Sequence, residues 1–217
     1  MVAPTLTTGP PDTRGVLVWR FDGAREVLSS ASVRGGRRQS EWLINAGVAL
    51  AYGRTDLAAH VDEIGASLAL DGDGVGLLTA ADVRKLRTAE VADVRVDTTV
   101  GISKPTWAAD PDGGWNPWQP GTINIVVQLP VGLDEGAAVN AVITATEAKT
   151  QALIERGVPG TGTASDAVAV VWPGDASADR TAAFGGPRSP WGDRVARAVH
   201  ATVLEGVDGF LDDWGAE

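Results

Sequence analysis

Cysteine is absent from this 217-residue chain, which removes disulfides and thiolate metal sites together. Histidine is nearly absent as well: only His60 and His200 occur, so a zinc or iron centre of the usual histidine-rich kind is not expected. Positive charge is in deficit. Eighteen basic residues stand against 28 acidic ones, and a net charge of -10 repels phosphate backbones and anionic lipid, so nucleic acid and membrane are not expected partners. No apolar run approaches the roughly 18 residues of a membrane span. Residues 1–13 lack the basic start and apolar centre of a signal peptide and are expected to form a disordered leader. One domain should fill residues 14–217, and the protein should be cytoplasmic, with a homodimer as the base-rate assembly for a soluble enzyme.

The chain does contain a helix-length run, Ala137 to Ala152, that is almost wholly apolar or small and carries only two charges, Glu147 and Lys149. A lone carboxylate and a lone ammonium in a buried segment cost several kcal/mol unless each has a partner or a task. Around this run the pattern predicts two short strands, Val16–Phe21 and Glu26–Ser32, joined by an Asp22-Gly23 hairpin turn, then a helix over Asp56–Leu68. A strand over Val75–Thr79 precedes a charged helical piece, Ala81–Ala92, and further strands are expected at Val94–Ile102, Ile123–Leu129 and Ala167–Trp172. The long helix should span about Asp134–Arg156 with Gly157 as its cap, and a last helix Trp191–Leu204, with Asp208–Trp214 a final turn or tail. The order implies an α+β fold, a mixed α/β sandwich in which the buried central helix packs on a mixed or antiparallel sheet. Residues 103–120 have a loop composition rich in tryptophan: Trp107, Trp115 and Trp118 either pin the loop or wall a pocket for a large flat ligand.

On a helical wheel, Ala141, Ala145, Ala148 and Ala152 form a narrow stripe suited to close packing, and Val139, Val142, Ile143, Thr146 and Leu153 a broader apolar face. Glu147 centres a polar stripe between them and is expected either to pair with an arginine of a neighbouring element or, as the favoured reading, to line a cavity as a carboxylate that orients water, accepts a proton as general base or binds an amide N–H. Lys149 lies about 160° away on the wheel, so the two cannot pair on one face; it is expected either to snorkel or form a salt bridge, or to polarise a carbonyl or bind an anion. In the strand after Gly121, Thr122 and Asn124 share one face, and a buried asparagine there must be satisfied by a loop or a substrate. The Gly160–Asp166 segment offers backbone N–H groups, hydroxyls and Asp166 as a cradle for an oxyanion, or serves only as a link. Asn124, Glu147 and Gly162–Asp166 are expected to converge in one cleft, with a hydroxyl of Thr122, Thr163 or Ser165 as the competing nucleophile.

The blocks Thr98-Thr-Val-Gly-Ile-Ser103, Gly121-Thr-Ile-Asn-Ile125, Ala145-Thr-Glu-Ala-Lys-Thr150 and Gly162-Thr-Ala-Ser-Asp166 occur in this order. With Leu28-Ser-Ser30, Gly35-Gly36 and Gly76-Leu-Leu-Thr-Ala-Ala81, they make the chain resemble the adenosylcobinamide amidohydrolase (CbiZ) family from about Val16 to Val203. The resemblance implies hydrolysis of the amide that holds the aminopropanol arm of adenosylcobinamide, releasing adenosylcobyric acid; a corrinoid-binding protein without hydrolysis is the alternative. It implies no protein cofactor and no metal ligands, since cobalt enters only with the corrinoid substrate. The implied catalytic positions are Glu147, Lys149, Asp166, Asn124 and Thr122. Those for substrate binding are Ser29, Ser30, Gly36, Thr79, Thr99, Ser103, Thr150, Gly162 and Thr163, with Gly101 in the same blocks; Trp107, outside the blocks, is expected as a substrate contact at the rim from its loop. The chain departs from the family pattern at Ala183-Phe184-Gly185-Gly186 and in a longer loop between Lys104 and Pro120.

Overall fold

The computed structural model describes residues 1–110, 121–174, 177 and 180–214, so Trp115 and Trp118 lie outside the described residues. Along the chain come β1 (Thr5–Thr7), β2 (Thr13–Ser29), β3 (Gly36–Val48), α1 (Leu57–Ser67), β4 (Gly74–Thr79), a 3-10 turn (Val83–Lys85), β5 (Arg87–Val91) and β6 (Val94–Gly101). They are followed by β7 (Thr122–Gln128), β8 (Gly132–Leu133), α2 (Glu135–Glu155), β9 (Ala167–Pro173), β10 (Thr181–Ala182) and α3 (Pro190–Trp214). One sheet takes the order β4-β3-β2-β9-β7-β6-β5, with β1 added to β2. The β3/β4 and β7/β9 pairs are parallel and the other pairs of this sheet antiparallel. The expected single α+β domain with its central helix on a mixed sheet is what forms.

Alternation along the strands divides the interior. Ile123, Ile125 and Val127 of β7 and Val168, Val170 and Trp172 of β9 face α2 and α3, meeting the alanine stripe of α2 and Val195, Ala198, Val199 and Val203 of α3. The opposite faces of the same strands, through Val126, Ala167, Ala169 and Val171, share a second cluster with Leu17 and Trp19 of β2, Leu43 of β3, and Val75 and Leu77 of β4. The sheet must therefore curl, bringing β3 and β4 over β7. Two polar links cross this inner space: Trp19 Nε1 donates to Asp97 at 3.1 Å, and Asn45 joins Thr99 and Asn124. Helix α1 covers the outer face through His60, Val61 and Ile64.

Several expectations change. Asp22-Gly23 is no hairpin turn: β2 runs through it as one 17-residue strand, with an irregularity between Arg20 and Arg25 where Gly23 takes φ 101°. The bend lets one strand serve two neighbours, β1 before it and β9 after it. Ala81–Ala92 is a 3-10 turn and an edge strand, because Ala89 and Val91 pack onto the helix-covered core and Ala92, at φ 51°, turns the chain into β6. The last helix continues past Leu204 to Trp214, carried by Val207, while Gly206 lies where a Cβ would press into Val100. Thr5–Thr7, within the stretch expected as a leader, pairs antiparallel with β2. On α2 the alanine stripe and Leu153 are buried as expected and Val142 packs against the same core, but Val139 and Ile143 are about half exposed at 51% and 48%, so the second apolar face is packed only in part.

Candidate active site

A cleft of about 430 Å³ opens where the carboxy-terminal ends of β3 and β4 meet the amino-terminal ends of β7 and β9. Apolar side chains such as Val33, Val48, Leu50, Leu57 and Leu77 line it, together with Thr79, Thr122, Asn124 and Ser165. A hollow of similar volume at the other end of β7, near Gln128 and Trp172, holds none of the expected residues. An apolar cleft with a few convergent polar groups is the usual form of a ligand site.

Asn124 is buried, and its amide nitrogen is fully committed, donating to Asn45 Oδ1 at 2.9 Å and to the Leu78 carbonyl at 3.2 Å. Asn45 in turn donates to Thr99 Oγ1 at 2.9 Å. The chain Asn124–Asn45–Thr99 fixes the orientation of each amide, since reversal of either would set like groups against one another. It leaves Asn124 Oδ1, an acceptor, for a ligand, and no N–H of that amide for an oxyanion. Thr122 Oγ1 and Ser165 Oγ lie 2.7 Å apart, and Ser165 also reaches the Gly121 carbonyl at 3.0 Å. Thr79 Oγ1 accepts from the Ala81 N–H at 3.0 Å.

Asp166 lies next to this group and is saturated. It accepts from the Ile123 N–H at 2.9 Å, the Thr163 N–H at 3.1 Å and Lys149 Nζ at 2.5 Å, and lies 2.6 Å from Thr163 Oγ1. Both charges of the pair are largely buried, at 8% exposure for the Lys149 side chain and 13% for Asp166, which answers why α2 tolerates an inward ammonium. Gly162 sits against them so closely that a Cβ there would overlap both the carboxylate and the ammonium. The pair thus ties α2 to the loop before β9 and to the first peptide of β7. Thr150 extends the tie by donating to the Thr161 carbonyl, and a bridge between Thr106 and Gly162 brings exposed Trp107 to the edge of that loop.

Glu147 does not join them. It is exposed on α2 beside a surface groove shared with Arg197 and His200 of α3, while Lys149, two residues on, points inward. The expected convergence of Asn124 with Gly162–Asp166 occurs, and that with Glu147 does not, because the stripe holding Glu147 faces away from the sheet. Ser29 and Ser30 clamp β9, through the Val168 carbonyl and N–H respectively, both at 3.0 Å, and Ser32 just beyond them lines the cleft. Ser103 and Gly101 border a neighbouring hollow that shares Leu50 and Ala80 with the cleft. Gly36, at φ 79°, opens β3. Asn45 went unnoticed in the sequence, because the whole of β3 did; so did Tyr52 and Arg54, which line the cleft from the loop after β3.

With this geometry in place, the likenesses acquire a physical meaning. A profile of the family described as adenosylcobinamide amidohydrolase matches residues 5–211, and the chain belongs to that family. An adenosylcobinamide amidohydrolase of Halobacterium salinarum is 38% identical over 147 residues, covering 64% of this chain and 59% of that protein. One of Methanosarcina mazei is 28% identical over 192 residues, covering 84% of this chain and 88% of its own length. The chain thus spans about three fifths of the haloarchaeal relative. No helix among the described residues is long and apolar enough to cross a membrane.

Proposed function

We propose, from membership of this family, that the chain hydrolyses the amide joining the aminopropanol arm to the corrinoid of adenosylcobinamide, giving adenosylcobyric acid and aminopropanol. What carries the reading is that the Thr122 and Ser165 hydroxyls, 2.7 Å apart, share one apolar cleft with the free carbonyl of Asn124. A cleft of about 430 Å³ suits a drug-sized group and falls short of a whole corrinoid. The arm and its amide enter it, while the macrocycle lies across the mouth and the adjoining hollow. Asn124 Oδ1 accepts the N–H of the scissile amide or of a neighbouring side-chain amide. Ser165 Oγ, exposed in the cleft and held by Thr122, is the nucleophile on the amide carbonyl. Lys149 and Asp166 act as a positioning pair beneath it. Cobalt belongs to the substrate and takes no part in the protein's own chemistry.

Incubation with adenosylcobinamide tests the proposal. Release of aminopropanol is expected, with Ser165→Ala losing on the order of 10³-fold or more and hydroxylamine trapping an acyl species only in the parent protein. Tight binding of an unchanged corrinoid would make the chain a carrier instead. Undiminished turnover by Ser165→Ala would move the attack to water.

A further inference from the structure

Amide cleavage needs a proton for its leaving nitrogen, and the groups described so far do not supply one. Asp166 and Lys149 neutralise each other, and Glu147 faces elsewhere. Among the described residues lining the cleft, only Tyr52 and Arg54 are ionisable, and Tyr52 is the single tyrosine of the chain. Its hydroxyl lies 2.7 Å from His60 Nδ1, and the two rings stack with centroids 5.4 Å apart. His60 is wholly buried on the inner face of α1. Its other nitrogen, Nε2, is 3.0 Å from Asp12 Oδ2 yet off the hydrogen-bond line, so a buried polar atom stays incompletely satisfied. A histidine buried this way and linked to a cleft hydroxyl is unusual for mere packing, since a buried polar atom without an aligned partner costs about 1–3 kcal/mol.

We propose that Tyr52 is the general acid of the reaction and that His60, backed by Asp12, is the positioning residue that reloads it; the proposal rests on the amidohydrolase function above. When the C–N bond breaks, its electron pair stays on nitrogen and nitrogen takes the Tyr52 proton. The proton shed by the attacking Ser165 hydroxyl goes to water, and the phenolate takes a proton from His60 Nδ1 as the ring regains one from water on its Nε2 side, beside the part-exposed Asp12. Water afterwards cleaves the acyl-serine bond, so the net change is amide plus water to acid plus amine. Burial raises the Tyr52 pKa above its ordinary value, with Asp56, Asp12 and Glu63 adding to the effect and Arg54 opposing it, so the hydroxyl keeps its proton at neutral pH, as a donor must. The charged groups facing the relay are Asp12 before β2, Arg54 and Asp56 in the loop, and Glu63 on α1. Arg54 draws the three carboxylates together, with contacts of 3.3, 2.8 and 2.7 Å to Asp12, Asp56 and Glu63.

Tyr52→Phe keeps the ring and removes the proton. Aminopropanol release should fall on the order of 10²-fold or more, with corrinoid binding, followed by the absorption of the macrocycle, retained. An adenosylcobyric acid p-nitrophenyl ester supplies a control, because its phenolate leaves without a proton: the amide-to-ester rate ratio should fall by the same factor as amide turnover. His60→Gln should lower kcat for the amide and leave KM and ester cleavage largely alone. Near-normal amide turnover by Tyr52→Phe, or an equal loss on amide and ester, overturns the acid role while leaving the hydrolase in place. A wild-type protein that cleaves the ester but never the amide overturns both.

Discussion

On one side of the cleft, Thr122, Asn124 and Ser165 stand at the ends of β7 and β9, and the two ionisable groups behind them, Lys149 and Asp166, pair with each other under four contacts to the carboxylate. On the other side, Tyr52 and Arg54 stand on the loop after β3, and behind them His60 and three carboxylates share a single guanidinium. The strand side is saturated, with its protons locked in hydrogen bonds whose partners the backbone fixes. The loop side is ionisable and linked to solvent through exposed carboxylates. A saturated network positions well and exchanges protons poorly, whereas a histidine-linked hydroxyl can do the reverse. The difference assigns holding and attack to the strand side and protonation of the leaving nitrogen to the loop side.

The contrast breaks most visibly at Lys149. Lys149→Met strands the Asp166 carboxylate in a largely buried place, and a loss of about 3 kcal/mol is expected in urea unfolding. Stability unchanged by that substitution would mean that the pair ties nothing together. Gly162→Ala attacks the same network sterically, forcing the ion pair apart, and about 1–3 kcal/mol should be lost by the same measurement. Asn124→Ala and Asn45→Ala probe the relay of amides. Each should cost about 1–3 kcal/mol, and together they should lose less than the sum of the two, since they share one hydrogen bond of 2.9 Å.

The loop side offers a finer test. The Arg54 hydrogen bond holds the Asp56 carboxyl down at about 2. A depressed carboxylate contributes stability above its unfolded value, about 3.9, and loses that contribution as pH falls through about 2. An NMR titration should find Asp56 still charged at pH 3, and Arg54→Met should return it toward the ordinary value. The smallest effect is expected at Glu147: Glu147→Gln should retain aminopropanol release within about twofold, whereas a drop near 10²-fold would restore it as the base.

Glu147 and Asn124 show where the sequence stopped being informative. Both are polar residues in apolar runs, and the same argument from burial was applied to each. It held for Asn124, whose strand is buried on both faces, because β-sheet alternation leaves no exposed side once both layers are covered. It failed for Glu147, because the α2 wheel has three stripes and composition does not say which of them is covered; Val139 and Ile143, on the apolar face next to the Glu147 stripe, are left exposed with it. Likewise Asp22-Gly23 carries a turn signal that a long strand absorbs as a bulge, and Arg87–Val91 has helix-forming residues that pairing with β6 overrides.

The sequence by itself determined the α+β class, the long α2 with its alanine stripe, β7 and β9 as core strands, and the blocks around Thr122, Asn124, Lys149 and Gly162–Asp166, because periodicity and local spacing are properties of neighbouring residues. Only the tertiary structure decided that Lys149 answers Asp166, that Asn45 orients Asn124, and that Tyr52 and His60 reach the same cleft. Those contacts join residues 17, 79 and 8 positions apart, and the first two depend on how the sheet stacks on α2 and curls over β7, which no local pattern encodes.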